Sequence, residues 1–444
     1  MTINASRRSF LIGTGGAALA VTLGACSSSP GSSSGAGGTA GSKTLTLTTN
    51  SDDDSSTWEV PQWNKQNPSI HIKLETYDTN TYTATFPTLA TSNDAPNIAG
   101  YFIDGGNYTT LAKAGAFVEL SGVWAASGLT KALPQFVVDL YHNFTPDKKV
   151  YAVPTNCSTY GILFYSRSAL QKAGVPEPVN NAFSSLNEFE SAMAAAKKAG
   201  LAGIAVGGKD GYPLSHMQDG ILSSYMTPDQ VKDVLAIDYT SAEWLTPVQT
   251  MVDWAKAGYL APGFLGMAAQ DSKTYFAQGK SLFCTAINVW LPDLISAGMK
   301  QSDIGWVLFP QVGPLNSKMS YYAGGGLVIP IKSSGDPGHA DATKFVEWAV
   351  SPAVALENAQ KVSAFQGRTD VPGLVNALGP VVESMVKFTS LPNAIQQGWD
   401  DPAPADMITY DRDNLQAVLA GSLSVSAFGA ALQQLATTHK TTGQ

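Results

Sequence analysis

The chain has few of the residue types on which most metal sites and covalent catalysts depend. Its 444 residues include three cysteines and five histidines, and the histidines lie too far apart in sequence to give a metal-ligand spacing. In the body after residue 43 there is no G-x-S-x-G elbow, and no H-E-x-x-H pattern is present. Gly279-Lys280-Ser281 matches only the end of a P-loop, because Thr274 stands where the first glycine of that motif belongs. We therefore predict no metal site, no cofactor and no catalytic residue.

Positive charge and long apolar runs are also scarce. The formal net charge is −8 and no basic stripe occurs, which argues against nucleic acid as a partner. The apolar run from Phe10 to Ala25 is shorter than the roughly 20 residues that a membrane-spanning helix needs, and no later segment has the pattern of one. The run is instead typical of the apolar region of an export signal.

The residues around this run predict export and lipid attachment. Ser6-Arg7-Arg8-Ser9-Phe10-Leu11 is a twin-arginine export pattern. The run ends in Leu23-Gly24-Ala25-Cys26, which resembles the lipobox of bacterial lipoproteins. We expect residues 1–26 to be a lipoprotein signal that ends at the lipid-carrying Cys26, and residues 27–43 to be a flexible Ser/Gly tether. The body is then extracytoplasmic, held at the outer face of the cell membrane by this lipid alone.

Two cysteines, Cys157 and Cys284, remain in the body. In an oxidising location they could form a disulfide, and a pair of buried free thiols is the alternative. The sequence does not give their separation, so both interpretations stay open.

The body alternates between strand and helix patterns, which favours α/β architecture. Residues 44–49, 70–74 and 97–103 have strand character with helical segments between them, so parallel pairing through right-handed crossovers is expected. A second series contains strands at 161–165, 203–206 and 281–287. Thr246-Pro247-Val248-Gln249 has the pattern of a helix start. A further strand is expected at 327–331, after three flexible glycines at 324–326.

Polar and aromatic residues directly follow several of these strands. In open α/β sheets, ligands collect at the carboxyl ends of the strands, so these residues are candidates for a binding site. Carboxylates and aromatic faces suit uncharged, hydroxyl-rich ligands. A solvated loop aspartate or a core aromatic is the alternative interpretation for each one. The predicted ligand-binding residues are Asp52, Asp53, Asp54, Asp210, Tyr212, Asn288, Trp290, Gly325, Trp399 and Asp401.

Five segments of the body carry a family resemblance. They are residues 66–70 (QNPSI), 111–120 (LAKAGAFVEL), 150–154 (VYAVP), 207–213 (GGKDGYP) and 276–280 (FAQGK). In order and spacing they resemble the extracellular solute-binding proteins of bacterial ABC sugar importers, family 1, which includes maltose-binding-like lipoproteins. The resemblance implies a two-lobed, periplasmic-binding-protein-like fold of type II with the ligand cleft between the lobes. It implies an N-lobe of residues 44–155 and 326–385 and a C-lobe of residues 156–325 and 386–440.

The same resemblance implies a function without catalysis. A monomeric receptor would capture a neutral sugar or oligosaccharide by hinge closure and deliver it to the membrane permease subunits of an ABC importer. Two alternatives stay open at the level of the sequence. One is a surface enzyme acting on glycosides, since a glycosidase needs only a spatial pair of carboxylates. The other is a receptor for a different solute, such as a polyamine or a peptide.

Overall fold

The computed structural model describes residues 43–51, 55–145, 147–331 and 339–442. The predicted signal with Cys26, the predicted tether up to residue 42 and the predicted site residues Asp52, Asp53 and Asp54 lie outside the described residues. No helix within the described ranges is both long and apolar enough to cross a membrane.

The first sheet has six strands. Their bounds are β1 (Lys43–Asn50), β2 (Ile70–Tyr77), β3 (Ile98–Phe102), β4 (Ala152–Tyr160), β9 (Met319–Val328) and β10 (Ile395–Gln396). β1 pairs in parallel with both β2 and β3, which confirms the predicted βαβ series, because parallel neighbours require a crossover connection. The alternation of apolar and polar residues in this part of the chain is therefore a reliable strand signal.

β4 and β9 form a long antiparallel pair within this sheet, from Ala152 beside Val328 to Tyr160 beside Ser320. The predicted start of a strand at residue 327 is wrong, because Gly325 and Gly326 already lie inside β9 with paired neighbours on both sides. A Cβ on Gly326 would lie 3.0 Å from the Ile103 side chain and 3.1 Å from the Val153 carbonyl oxygen. The glycines thus permit close approach of β3 and β4.

The second sheet has the order β6-β7-β5-β8. Its strands are β5 (Ile162–Ser166), β6 (Ala202–Ala205), β7 (Ser281–Ala286) and β8 (Ile304–Leu308). β6 is parallel to β7, whereas β5 is antiparallel to both β7 and β8. The carboxyl ends of β6 and β7 therefore lie at the edge where β5 begins, directly after β4.

Helices connect the strands and cover both sheets. Those before β4 are α1 (Ser55–Gln66), α2 (Thr79–Ala90), α3 (Asn107–Lys113), α4 (Ser121–Ala126), α5 (Leu129–Ala132) and α6 (Gln135–Asn143). Those between β5 and β8 are α7 (Arg167–Ala173), α8 (Leu186–Lys198), α9 (Tyr212–Leu222), α10 (Pro228–Lys232), α11 (Ala242–Lys256), α12 (Ala269–Ala277) and α13 (Leu291–Ser296). The last are α14 (His339–Ala349), α15 (Pro352–Val362), α16 (Leu374–Ala377), α17 (Pro380–Thr389), α18 (Ala405–Leu419) and α19 (Val425–Thr442).

The predicted helix start at Thr246 is wrong. α11 begins at Ala242, where the Ser241 side chain accepts a hydrogen bond from the Trp244 N–H at 3.4 Å. Trp244 is fully buried against Tyr239 and Trp399. Burial of this indole accounts for the extra turn, because packing overrides a local capping pattern.

Side chains alternate across the second sheet between two apolar clusters. Phe164, Cys284 and Trp306 belong to the cluster that also fills the first sheet. Phe283 and Val307 belong to a cluster formed with α8, α9, α11, α18 and α19. Cys157 and Cys284 are both buried free thiols. Contacts group the whole body in one unit, and the predicted boundaries of the two lobes stay a prediction.

Candidate functional site

Loops that follow strands of the first and the second sheet come together in one region. Asn80, at the start of α2, donates a hydrogen bond from Nδ2 to Asp210 Oδ1, which follows β6, at 3.5 Å. In the same region the Gly105 N–H, just after β3, donates to the Asp401 carbonyl oxygen at 2.8 Å. Loops from both sheets therefore meet here, as expected for a ligand site at the carboxyl ends of strands. We call this region the intersheet site.

Asp210 and Tyr212 lie on the second-sheet side of the intersheet site. Asp210 is half-buried, and its Oδ2 accepts the Ala269 N–H at 2.6 Å, so it caps the first turn of α12. Tyr212 begins α9 and is buried; the centroid of its ring lies 5.5 Å from that of His216 and 6.4 Å from that of Trp290. A second role for Asp210 in ligand contact stays a prediction.

Asn288 and Trp290 are both buried at the end of β7. Asn288 Oδ1 accepts the Thr159 N–H at 2.8 Å, and its Nδ2 donates to the Cys157 carbonyl oxygen at 3.4 Å. Trp290 is 2% exposed, and Lys273 Nζ lies 4.9 Å from its ring centroid. Asn288 therefore links the end of β7 to β4 through hydrogen bonds. Trp290 is buried with its ring edge-on to that of Tyr212, and does not lie at the surface.

The remaining sequence candidates lie in β9 and in the loop that follows β10. Gly325 is half-buried in β9, beside Phe102 and Asn156. Trp399 is 2% exposed and donates from Nε1 to the Tyr239 hydroxyl at 2.8 Å, so its ring packs in the second-sheet core. Asp401 is also buried, and its Oδ2 accepts the Gly398 N–H at 3.1 Å.

Asp104 is a site residue that the sequence reasoning missed. It directly follows β3 and is half-buried. Its Oδ1 accepts the N–H groups of Gly106 at 3.0 Å and Tyr108 at 3.1 Å. Burial raises the pKa of Asp104 to about 6, against the lowering effect of these two bonds. Its place after a predicted strand was the available signal, the same one that selected Asp52 to Asp54.

Arg412, His216 and Tyr322 also escaped the sequence reasoning, and all three are half-buried at this region. Arg412 donates from Nη2 to Asp400 Oδ2 at 2.8 Å. Burial alone would raise the pKa of Asp400, but Arg412 and His216 hold it below its usual value. Burial lowers the pKa of His216 to about 4, so this imidazole is neutral at pH 7. No sequence signal marks these residues, because each lies inside a helix or strand.

Two surface depressions lie at the opposite end of the second sheet, where β7 and β8 begin. Their volumes are about 420 and 430 Å3, and both are lined by Asp303. Asp303 there accepts hydrogen bonds from Ser166 and Ser168, and Arg167 pairs with Glu177 at 3.0 Å. These depressions are lined by one sheet and its helices, whereas the intersheet site joins polar groups of both sheets at strand ends, where ligands of open α/β sheets bind.

The chemistry of the intersheet site favours hydrogen bonding over catalysis. Asp104 and Asp210 offer carboxylate oxygens from the two sheets, and the ring of Tyr322, which lies near Asp104, covers Gly324. In the part of the chain that the structure describes, no three or more His, Cys, Asp or Glu side chains form a group that could hold a metal ion. Acceptors with an aromatic face are what a neutral, hydroxyl-bearing ligand requires.

Solved structures share the fold of this chain at low sequence identity. A chitin oligosaccharide binding protein is 18% identical with a TM-score of 0.77, over 89% of this chain and 98% of its own. An ABC transporter solute binding protein from Thermotoga lettingae, bound with α-D-tagatose, is 20% identical with a TM-score of 0.73, over 89% and 99%. The acarbose-binding GacH receptor of Streptomyces glaucescens is 20% identical with a TM-score of 0.71, over 90% and 98%. The predicted α/β fold of the periplasmic-binding-protein type is therefore confirmed, and it contains two sheets.

Family comparison gives the broader assignment. No curated protein sequence matches the chain. The model of the family described as bacterial extracellular solute-binding protein matches residues 60–377, which is more than half of the chain. This chain therefore belongs to the bacterial extracellular solute-binding proteins.

Proposed function

We propose that the protein captures a neutral sugar or oligosaccharide in the intersheet site, without transforming it, and delivers it to the membrane permease of an ABC importer. The observation that carries this proposal is the pair of half-buried carboxylates, Asp104 and Asp210, which approach one region from different sheets. Structures of the same fold bind chitin oligosaccharide, tagatose and acarbose.

The charge arrangement supports a neutral ligand. Arg412 is paired with Asp400 and leaves no unpaired cation for a carboxylate ligand at that position. A polyamine needs carboxylates around each ammonium group, whereas Asp104 lies within the field of Arg412. Hydroxyl groups can donate to Asp104 without this conflict, because a carboxylate accepts neutral donors strongly.

Placement at the cell surface completes the proposal. The family is extracellular, and the twin-arginine signal with Cys26 supports export followed by lipid anchoring. The receptor acts as a monomer, with the membrane contacted only through the lipid. Delivery then requires no more than a change in shape between the loaded and empty states.

A thermal-shift screen against mono- and oligosaccharides tests the proposal. A ligand at 100 times its dissociation constant adds about 2.7 kcal/mol of stability. Asp104→Asn should weaken that ligand by about 1.5–3 kcal/mol, the value of a hydrogen bond to a charged group. Asp94→Asn is the matched control, because Asp94 is exposed just before β3.

The fate of the ligand separates a receptor from an enzyme. After long incubation with the protein, the bound sugar should be recovered chemically intact by mass spectrometry. Consumption of the sugar would support a glycoside-active enzyme instead. Equal affinity in Asp104→Asn and wild type would remove Asp104 from the site, and stabilisation by polyamines or peptides alone would overturn the sugar assignment.

A further inference from the structure

The chain passes between the two sheets at three places, and these meet at one point. The first passage runs from Tyr160 into β5, the second enters β9 before Ser320, and the third leaves β10 at Gln396 for α18. Tyr160, Ser320 and Gln396 are neighbours across the sheet, since Ser320 pairs with both other residues. Side chains of paired neighbours point to the same face. Anything that pushes these side chains apart therefore acts on all three passages.

α9 packs against this point. A Cβ on Gly161 would lie 2.9 Å from Ser320 Oγ and 3.3 Å from the Gly220 Cα of α9. A Cβ on Gly398 would lie 1.6 Å from the Tyr160 hydroxyl and 3.0 Å from Asp219 Oδ2. No side chain fits at these glycines, so the three passages and α9 are in direct contact.

Four carboxyl groups are buried here, and we call them the crossing acids. They are Asp219, Asp400, Asp401 and Asp411, which are 3%, 5%, 7% and 0% exposed. Arg412 pairs with Asp400 and is the only ion-pair partner that the described residues give to these four groups. If all four were ionised, three buried negative charges would have no cation, an arrangement that burial strongly disfavours.

Some polar atoms of the crossing acids have hydrogen-bond partners and others have none. Asp219 Oδ1 accepts the Trp399 N–H at 3.1 Å, and Asp411 Oδ2 accepts the Ser215 hydroxyl at 2.5 Å. Within the described residues, Asp219 Oδ2 and Asp411 Oδ1 are buried without a hydrogen-bond partner, as are Ser320 Oγ and both polar atoms of the Gln396 side chain. A protonated carboxyl could donate to the hydroxyl oxygen of Ser320 or to Oε1 of Gln396, whereas an ionised one could not.

Among the described residues, no further group that is positively charged at pH 7 compensates the crossing acids. The further titratable groups that face them are Asp104 after β3, Tyr160 of β4, His216 of α9, Tyr322 of β9 and Tyr239 before α11. His216 is neutral at pH 7, as described above. Burial, with Asp400 as a further negative neighbour, raises the pKa of Asp219 and Asp401 well above the ordinary value, and that of Asp411 to about 7.

We propose that Asp219 and Asp401 are neutral acids at neutral pH, and that loss of their protons at alkaline pH drives the three passages apart and opens the intersheet site. The mechanism is repulsion between carboxylates that share a buried space. Its consequence for ligand affinity rests on the proposed function, whereas the titration and the opening belong to the ligand-free protein.

Stability should fall as the pH rises. A carboxyl with a folded-state pKa above its unfolded value of about 3.9 keeps its proton longer in the folded chain. The folded state then loses stability from that value upward until the folded pKa is passed. Each such proton makes the unfolding equilibrium constant rise about tenfold per pH unit within its window. Asp411 and Asp104 contribute only below about pH 7 and 6, so Asp219 and Asp401 account for the loss from pH 7 to about pH 8.5. Above that value the buried thiols of Cys157 and Cys284, whose pKa burial raises to about 12, add a loss of their own.

The test uses infrared spectroscopy, denaturation and small-angle scattering on the ligand-free mature protein. At pH 7 the wild type should show a protonated-carboxyl band that decreases in Asp219→Asn and in Asp401→Asn, because the amide side chain carries no acid proton. The radius of gyration of the wild type should grow at alkaline pH, and that of the double variant should not. Asp413→Asn is the control, since Asp413 is exposed on the same helix as Asp411 and should behave as wild type.

Several outcomes would overturn the proposal. They are the absence of a protonated-carboxyl band at pH 7, a radius that is constant from pH 6 to pH 10, or titration midpoints that move when EDTA or calcium is added. The last result would assign the charge compensation to a metal ion. If the asparagine variants do not fold, the infrared and scattering titrations of the wild type alone decide. A failed sugar screen would leave all of these measurements unaffected.

Discussion

Asn288 provides a sharp test of whether a strand-end residue binds ligand or holds the fold. Replacing it by alanine removes the acceptor for the Thr159 N–H at 2.8 Å and the donor to the Cys157 carbonyl oxygen at 3.4 Å. Thr159 and Cys157 are 3% and 1% exposed, so water cannot easily take over either bond. Leaving a buried polar group unpaired costs about 1–3 kcal/mol.

The magnitude follows from the two geometries. The short bond to Thr159 should contribute most, and the long bond to Cys157 little more than the lower limit. We expect Asn288→Ala to lower the free energy of unfolding by about 2–4 kcal/mol. Asn288→Asp should cost at least as much near pH 7, because a carboxylate oxygen would then face the Cys157 carbonyl oxygen, and acidic pH should relieve part of the loss.

Chemical denaturation monitored by tryptophan fluorescence measures this effect. Asn376→Ala is the control, because Asn376 is exposed on α16 and should change stability by less than about 0.5 kcal/mol. The reasoning is refuted if Asn288→Ala is as stable as wild type. If such a stable variant also lost affinity for an identified ligand, Asn288 would be a ligand contact and would not be needed to hold β7 against β4.

Two further predictions concern the ring beside Asn288 and the membrane anchor. Trp290→Ala should destabilise the fold by about 3–5 kcal/mol, the usual cost of removing a fully buried tryptophan, as measured by calorimetry; a stable variant that loses only ligand affinity would place the ring in the site instead. Cys26→Ser should be exported yet released from washed membranes, because the cysteine that carries the lipid anchor is then missing. Retention of the variant in the membrane fraction would contradict lipid anchoring at Cys26.

The sequence by itself determined the elements and the family. Alternation of apolar residues predicted β1 and β2, since each of these strands has a local period that no distant contact has to create. The order of short motifs indicated the family, which the match over residues 60–377 confirms. Local capping signals were less reliable: the pattern at Thr246 gave way to burial of Trp244, because packing of a large ring outweighs one capping hydrogen bond.

Tertiary structure alone decided which side chains face the intersheet site. Strand ends selected loops that lie at the intersheet site, but Trp290 and Trp399 are buried, whereas Asp104 and Arg412 are half-buried there. A loop residue has no fixed period, so its direction depends on the neighbours it meets.

The crossing acids show the same limit most clearly. Asp219, Asp400 and Asp411 lie in α9, in a loop and in α18, and ordinary spacing gives no sign that they meet. They meet, away from water, only because the chain passes between the two sheets three times and α9 packs against those passages. Burial and mutual repulsion, which set their protonation, are therefore properties of the fold and cannot be assigned to any one segment of the sequence.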